Sequence, residues 1–143
     1  DELFMAYYYS VFMNKLIAAG KKIYPLPMFV NAALNRPGKL PGEYPSAGPL
    51  PHLMDVWKAG GTAIDFLSPD FYNPDFKHWN DLYTRQCDPL FIPEHAFDAT
   101  VAAKALFTFA NYEGIGKGLC DEGCREITIL PRRRCGGASR TLG

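Results

Sequence analysis

The order of apolar and polar positions along the chain alternates between helical and strand-like segments. Four segments repeat apolar residues with a period near 3.6 and predict helices: residues 1–19, 49–59, 74–84 and 98–112. Three short apolar runs between them predict strands: residues 26–31, 63–67 and 89–93. This α-β-α-β-α-β-α order is typical of an α/β fold with a parallel sheet. It suits either a doubly wound sheet or part of a (β/α)8 barrel.

Polar side chains follow each predicted strand, at the end where such folds place their chemistry. They are Asn31, Asp70, Tyr72, Glu94 and His95. Because parallel strands end on one face of the sheet, we expect these side chains to converge on one pocket, with the loop 32–48 lying over it. Each has a plainer structural alternative, since turns, helix caps, packing and surface exposure also use these residue types. Glu94 is the strongest candidate, because a carboxylate after a buried strand needs solvent, a partner or a substrate.

Composition and charge narrow the class of protein. The 143 residues are 48% hydrophobic and carry a formal net charge of zero, which suits one folded domain with a sizeable core. No run of ~18 apolar residues predicts a membrane span. The neutral charge gives no sign of a nucleic-acid partner. The chain begins at Asp1 without a signal peptide, so we expect a piece of a longer protein or a processed product and assign no compartment.

The character of the chain changes after Gly116. Residues 1–116 carry a net charge of −3 and every aromatic residue, whereas residues 117–143 carry +3 and three of the four cysteines. We therefore expect an α/β domain over 1–116 and an irregular tail over 117–143. The tail cysteines Cys120, Cys124 and Cys135 lack the fourth ligand of a structural zinc site, and no secretory context supports a disulfide. No metal site is predicted.

Several common catalytic and binding motifs are missing from the sequence. Neither G-x-G-x-x-G nor G-x4-G-K-[ST] follows a predicted strand, which disfavours a nucleotide-binding module. The absence of G-x-S-x-G likewise disfavours a hydrolase with a serine nucleophile.

Four segments carry a resemblance to a known family. They are residues 24–31 (YPLPMFVN), 45–52 (PSAGPLPH), 64–72 (IDFLSPDFY) and 89–94 (PLFIPE). Together, in this order and spacing, they resemble bacterial β-galactosidase-like enzymes of glycoside hydrolase family 35. The resemblance covers residues 1 to about 116, and no single segment would carry it alone.

The resemblance implies a partial (β/α)8 barrel, in which the three predicted strands are the fifth, sixth and seventh. Glu94 then falls on the position of the catalytic nucleophile, and Asn31 and Tyr72 fall on positions lining the sugar site, with Asp70 beside them. The family's acid/base glutamate would precede Asp1, so we expect the chain alone to be inactive. The resemblance implies a carbohydrate substrate, a β-galactoside, and neither a metal nor an organic cofactor. The alternative is a non-catalytic α/β module that binds sugars or another partner.

The resemblance stops where the composition changes. An apolar eighth strand should follow Gly116, but a cysteine- and arginine-rich stretch follows instead. A shifted reading frame would explain this loss of apolar and aromatic residues, and a divergent native tail is the alternative.

Overall fold

Helices alternate with strands along the part of the chain that the computed structural model describes, residues 1–85, 88–96, 98–112, 114–119 and 125–127. The helices are α1 (Glu2–Ile23), α2 (Met54–Ala59, preceded by a 3-10 turn over Pro51–Leu53), α3 (Phe76–Thr84) and α4 (Val101–Asn111). The strands are β1 (Phe29–Ala33), β2 (Phe66–Phe71), β3 (Leu90–Ile92), β4 (Glu94–His95), β5 (Gly114–Leu119) and β6 (Arg125–Ile127).

The strands form a mainly parallel arrangement in chain order. β1, β2 and β4 are adjacent and parallel, and β5 lies parallel to β3, with β6 antiparallel to β5. β3 and β4 are successive parts of one stretch that bends at Pro93, so the stretch pairs first with β5 and then with β2. The predicted α/β class with parallel strands is confirmed, and β5 adds a parallel strand to the three predicted.

The observed element boundaries differ from the predicted ones for identifiable reasons. α1 continues through Gly20 to Ile23, since Tyr24 N–H still donates to the Gly20 carbonyl, 2.9 Å away. β1 begins at Phe29, because Pro25 and Pro27 have no N–H to donate to a sheet ladder.

β2 begins three residues later than predicted and extends through Phe71. Ser68, Pro69 and Asp70 follow the predicted end of this strand, but all three pair with β1. Asp70 therefore belongs to the central strand of its sheet.

The apolar core lies between the helices and one face of the sheet. Its fully buried members include Leu50, Leu53, Met54, Phe71, Tyr83, Leu90 and Ile92. Helix α1 reaches the segment after α2 through polar contacts, since Asn14 Oδ1 accepts the Ala63 N–H at 2.8 Å. Gly60 makes this approach possible, because a β-carbon there would lie 2.1 Å from the Ser10 hydroxyl oxygen.

Regular structure continues beyond the expected boundary after Gly116. β5 runs through that point to Leu119, and β6 covers Arg125–Ile127. The rest of the tail, including Cys120, Cys124 and Cys135, lies outside the described residues. Among the described helices, none has the length and apolar character needed to cross a membrane.

Candidate functional site

Three neighbouring strands bring the strongest sequence candidates together at their carboxyl ends. Asp70 on the central strand β2 pairs in register with Ala33 of β1 on one side and Glu94 of β4 on the other. Asn31 lies two residues before Ala33, on the same face of β1. The parallel register therefore places an amide and two carboxyl groups side by side.

Glu94 reaches this face because of the bend at Pro93. The Phe91 ring lies 4.8 Å from the Phe29 ring and 5.9 Å from the Phe66 ring, so Phe91 shares the face of β1 and β2 that carries Asn31. Strict alternation from Phe91 would turn Glu94 to the opposite face. The bend shifts the alternation by one residue, and Glu94 then stands beside Asp70.

The Asn31 side-chain amide forms hydrogen bonds to both carboxyl oxygens of Asp70. The Asn31 amide nitrogen donates to Asp70 Oδ2 at 2.8 Å and to Oδ1 at 2.9 Å. Burial raises the pKa of the Asp70 carboxyl above its ordinary value, the Asn31 amide opposes this change, and the negative charge of Glu94 adds to it. The pKa of Asp70 is raised on balance, which eases its protonation beside a second carboxylate.

Tyr72 forms a hydrogen bond to the second carboxylate, Glu94. The phenol hydroxyl of Tyr72 donates to Glu94 Oε2 at 3.1 Å, one residue past the end of β2. The Tyr72 ring is largely exposed, whereas Glu94 is half-buried. Glu94 thus presents an oriented carboxylate at an accessible edge of the sheet, which a nucleophile or a hydrogen-bonding group for a ligand requires.

A cleft of about 260 Å³ opens beside Asp70 and Tyr72, whereas Asn31 and Glu94 lie next to these two residues and not in the lining of the cleft. Its lining includes Leu34, Asn35, Arg36, Asp70, Tyr72 and Asn73. Only the first residues of the expected loop 32–48 line the cleft, since the later part of the loop packs into the core at Tyr44 and Ala47.

Two hydrogen bonds anchor that loop. Asn35 Nδ2 donates to the Tyr44 hydroxyl at 3.0 Å, and Trp57 Nε1 on α2 donates to the Ala47 carbonyl at 3.0 Å. These contacts hold Asn35 and Arg36 at the mouth of the cleft. Sequence reasoning did not select Asn35, Arg36 or Asn73. The available signal was the turn-forming stretch 35–38 directly after a strand, where loops usually carry binding residues.

His95 does not join the site. It follows Glu94 on β4 and points to the opposite face, where its ring lies 6.1 Å from Phe71 and 5.7 Å from Phe76. The His95 side chain is buried, its Nδ1 lies 2.5 Å from the Ala96 carbonyl oxygen, and burial lowers its pKa. The expectation that His95 would line the pocket was wrong, because neighbouring residues of a strand face opposite ways.

Within the described part of the chain, no three His, Cys, Asp or Glu side chains form a group that could hold a metal ion. The chemistry that this site offers is that of carboxylates, an amide and a phenol.

Comparisons with protein-family models and with curated proteins found no match for this chain. The likeness to glycoside hydrolase family 35 therefore rests on the four sequence segments.

Proposed function

We propose that the cleft beside Asp70 and Tyr72 binds a β-galactoside and that Glu94 is the nucleophile of a retaining glycoside hydrolase. The observation that carries the proposal is the convergence of Asn31, Asp70, Tyr72 and Glu94 at the carboxyl ends of consecutive parallel strands. Neighbouring strands in chain order, with helices between them, also support a sector of a (β/α)8 barrel.

The oriented carboxylate of Glu94 suits attack on an anomeric carbon. A retaining glycosidase forms a covalent glycosyl-enzyme through one carboxylate, and a second carboxyl group protonates the leaving oxygen. The Tyr72 hydroxyl orients one Glu94 oxygen, and we assign the attack on the sugar to the other oxygen. The cleft of about 260 Å³ is smaller than the roughly 300–1,000 Å³ of sites for drug-sized ligands, so it suits a ligand as small as a single sugar ring.

Asp70 is a poor substitute for the acid/base group. Its two oxygens already accept hydrogen bonds from Asn31, and its strand neighbours that of Glu94, so both carboxyl groups approach a ligand from one side. A retaining mechanism needs carboxyl groups that flank the scissile bond. We assign Asp70 and Asn31 to hydrogen bonding with sugar hydroxyls, and the acid/base glutamate to a segment outside this chain.

A fluorosugar with a good leaving group tests the nucleophile without requiring the acid/base group. The full chain is incubated with 2-deoxy-2-fluoro-β-galactosyl fluoride and its mass is measured. We expect a gain of one fluorogalactosyl unit, mapped to the peptide that contains Glu94. Glu94→Gln should lower the labelling rate by about 10³-fold or more, because its amide is not nucleophilic.

Glu43→Gln is the matched control, since Glu43 is an exposed glutamate in the loop after β1, where it contacts Leu40 and Lys39 of its own turn. It should label like the unchanged chain, and circular dichroism should show that both variants fold. Equal labelling of the Glu94→Gln variant and the unchanged chain would refute the nucleophile assignment.

The second candidate function is sugar binding without catalysis. It is favoured by the engagement of Asp70 with Asn31, which leaves Glu94 without an acid partner among the described residues. Galactose-dependent shifts of amide resonances near Tyr72, without any covalent label, would favour this candidate over the hydrolase. Absence of both label and binding would contradict both.

A further inference from the structure

Helix α1 carries an exposed apolar stripe, separate from the side of the helix that packs against the rest of the molecule. The outer stripe consists of Met5, Tyr9, Phe12, Leu16, Ala19 and Ile23. Successive members are four or three residues apart, which is the spacing of a seam between two packed helices. All six are exposed, and the five large ones expose between 42% and 87% of their surface.

The inner stripe already accounts for the packing of α1 within the chain. Ala6, Ser10, Asn14 and Ile17 are the buried residues of this helix, and they lie on a different side from the outer stripe. The outer stripe contains no charged residue. An uncharged apolar row nearly three heptads long, in addition to the packed stripe, is typical of an interface.

The exposed area fits a second helix of the same size. A large apolar or aromatic side chain has roughly 150–250 Å² to bury, so five half-exposed members offer on the order of 500 Å². Phe4 and Tyr8, whose rings are 4.6 Å apart next to the stripe, are also exposed and enlarge this face. The total approaches the ~800 Å² that each partner buries in a standard interface.

We propose that two copies of this chain associate through their outer stripes, with the two α1 helices antiparallel. In that arrangement Phe12 of each copy faces the partner copy's Leu16, and Tyr9 faces the small Ala19. A parallel arrangement would place two Ala19 side chains opposite each other and leave a gap. The antiparallel pairing matches large with small residues, as close packing requires.

Charge favours the same orientation. The acidic end of α1 begins beside Asp1, and its basic end carries Lys22, so antiparallel helices bring opposite charges together at both ends. The helix macrodipoles are then also opposed. None of these residues lines the cleft, so the association can be tested separately from the proposed function.

Sedimentation velocity on the full chain tests the association. We expect a dimer whose fraction rises with concentration over the micromolar range. The double variant Phe12→Glu with Leu16→Glu should weaken the association by at least 100-fold, because it buries like charges across the seam. Leu106→Glu is the matched control, since Leu106 on α4 is 72% exposed and lies outside the stripe. The control should sediment like the unchanged chain.

Cross-linking tests the orientation. With the four native cysteines replaced by serine, a chain carrying Met5→Cys is mixed with one carrying Ile23→Cys, and each is also oxidised alone. Antiparallel helices should give a disulfide-linked dimer chiefly in the mixture. Linked dimers chiefly in the separate samples would overturn the antiparallel arrangement. A monomer at all concentrations, aggregates without a defined size, or dissociation by Leu106→Glu as well would overturn the interface.

Discussion

Polar side chains on the two faces of the parallel strands have opposite surroundings, across the sheet β1-β2-β4 and the neighbouring sheet β3-β5-β6. On the site face, Asn31 bonds to Asp70 and Tyr72 bonds to Glu94, beside an open cleft. On the helix-covered face, the Nε2 of His95 and the Nζ of Lys117 are buried without a hydrogen-bond partner among the described residues. The site face can exchange its internal hydrogen bonds for ligand contacts, whereas the covered face cannot.

Phe76 of α3 lies close to both of these buried side chains, His95 and Lys117. Its ring lies 5.0 Å from Lys117 Nζ and 5.7 Å from the His95 ring. The attraction between the Lys117 ammonium group and the Phe76 ring stabilises the folded state somewhat. It is much smaller than the cost of transferring an ammonium group from water to a site without a hydrogen-bond partner. The comparison teaches that the polar side chains beside the cleft bond to one another, whereas the buried His95 and Lys117 side chains reduce stability.

Replacing Lys117 should give the largest effect on stability. Burial lowers the pKa of Lys117 from 10.5 to about 8, so the charged side chain destabilises the folded state near neutral pH. Lys117→Met keeps the length of the side chain and removes the charge. It should raise the free energy of unfolding by about 1–3 kcal/mol at pH 7, measured by urea denaturation.

The pH dependence sharpens this test. Between pH 8 and 10.5 the unfolded chain holds a proton on Lys117 that the folded chain has lost, so the free energy of unfolding should rise with pH. Lys117→Met should lack that rise. A variant that is less stable than the unchanged chain at pH 7 would show that Lys117 has a stabilising partner.

His95 should give a smaller effect on the same face, visible at acidic pH. Its pKa lies below the ordinary 6.5, mainly through burial, so the unfolded chain binds the proton first as pH falls. The free energy of unfolding should therefore decrease from about pH 6.5 downward. His95→Phe keeps a ring beside Phe71 and should remove this decrease, as thermal unfolding at several pH values can show.

On the site face, Asn31→Ala should change the titration of Asp70 more than the stability. The variant loses the amide that holds both Asp70 oxygens, so the pKa of Asp70 should rise further. The loss in free energy of unfolding should be about 1 kcal/mol, because Asn31 is exposed and water replaces part of the contact. Carboxyl-carbon NMR titration measures the pKa, and an unchanged value would refute the assigned contact.

Tyr72→Phe should have the smallest effect on stability. The Tyr72 hydroxyl is at the surface, so its loss should change the free energy of unfolding by less than about 0.5 kcal/mol. The rate of labelling by the fluorosugar should nevertheless fall several-fold, because Glu94 loses the group that orients it. A large loss of stability with unchanged labelling would indicate a packing role instead.

The helices and the α/β class could be predicted because their signals are local. The apolar period predicts α3 and α4 to within three residues, and the apolar runs predict three parallel strands. The predicted limits of β1 and β2 were less accurate, because pairing partners decide where a strand begins and ends. The strand after Gly116 was not predicted, because 114–119 is rich in glycine and lacks an apolar pattern.

Four of the five candidate site residues could be predicted from their position after apolar strands. Asn31, Asp70, Tyr72 and Glu94 do converge, since parallel strands end at one edge. Their roles in sugar binding and catalysis stay predictions. Position in the sequence alone could not separate Glu94 from His95, because that choice depends on the alternation after the bend at Pro93.

The sequence by itself determined the helical periods, the strand-forming runs and the polar groups that follow them, because these are properties of neighbouring residues. Only the tertiary structure decided which polar groups share a face, since strand register and a single bend set that choice. It also decided that the Asn31 amide opposes the rise in the pKa of Asp70 that burial and Glu94 cause. It decided as well that one apolar stripe of α1 remains uncovered. Those outcomes depend on contacts between residues far apart in the chain, which no local pattern contains.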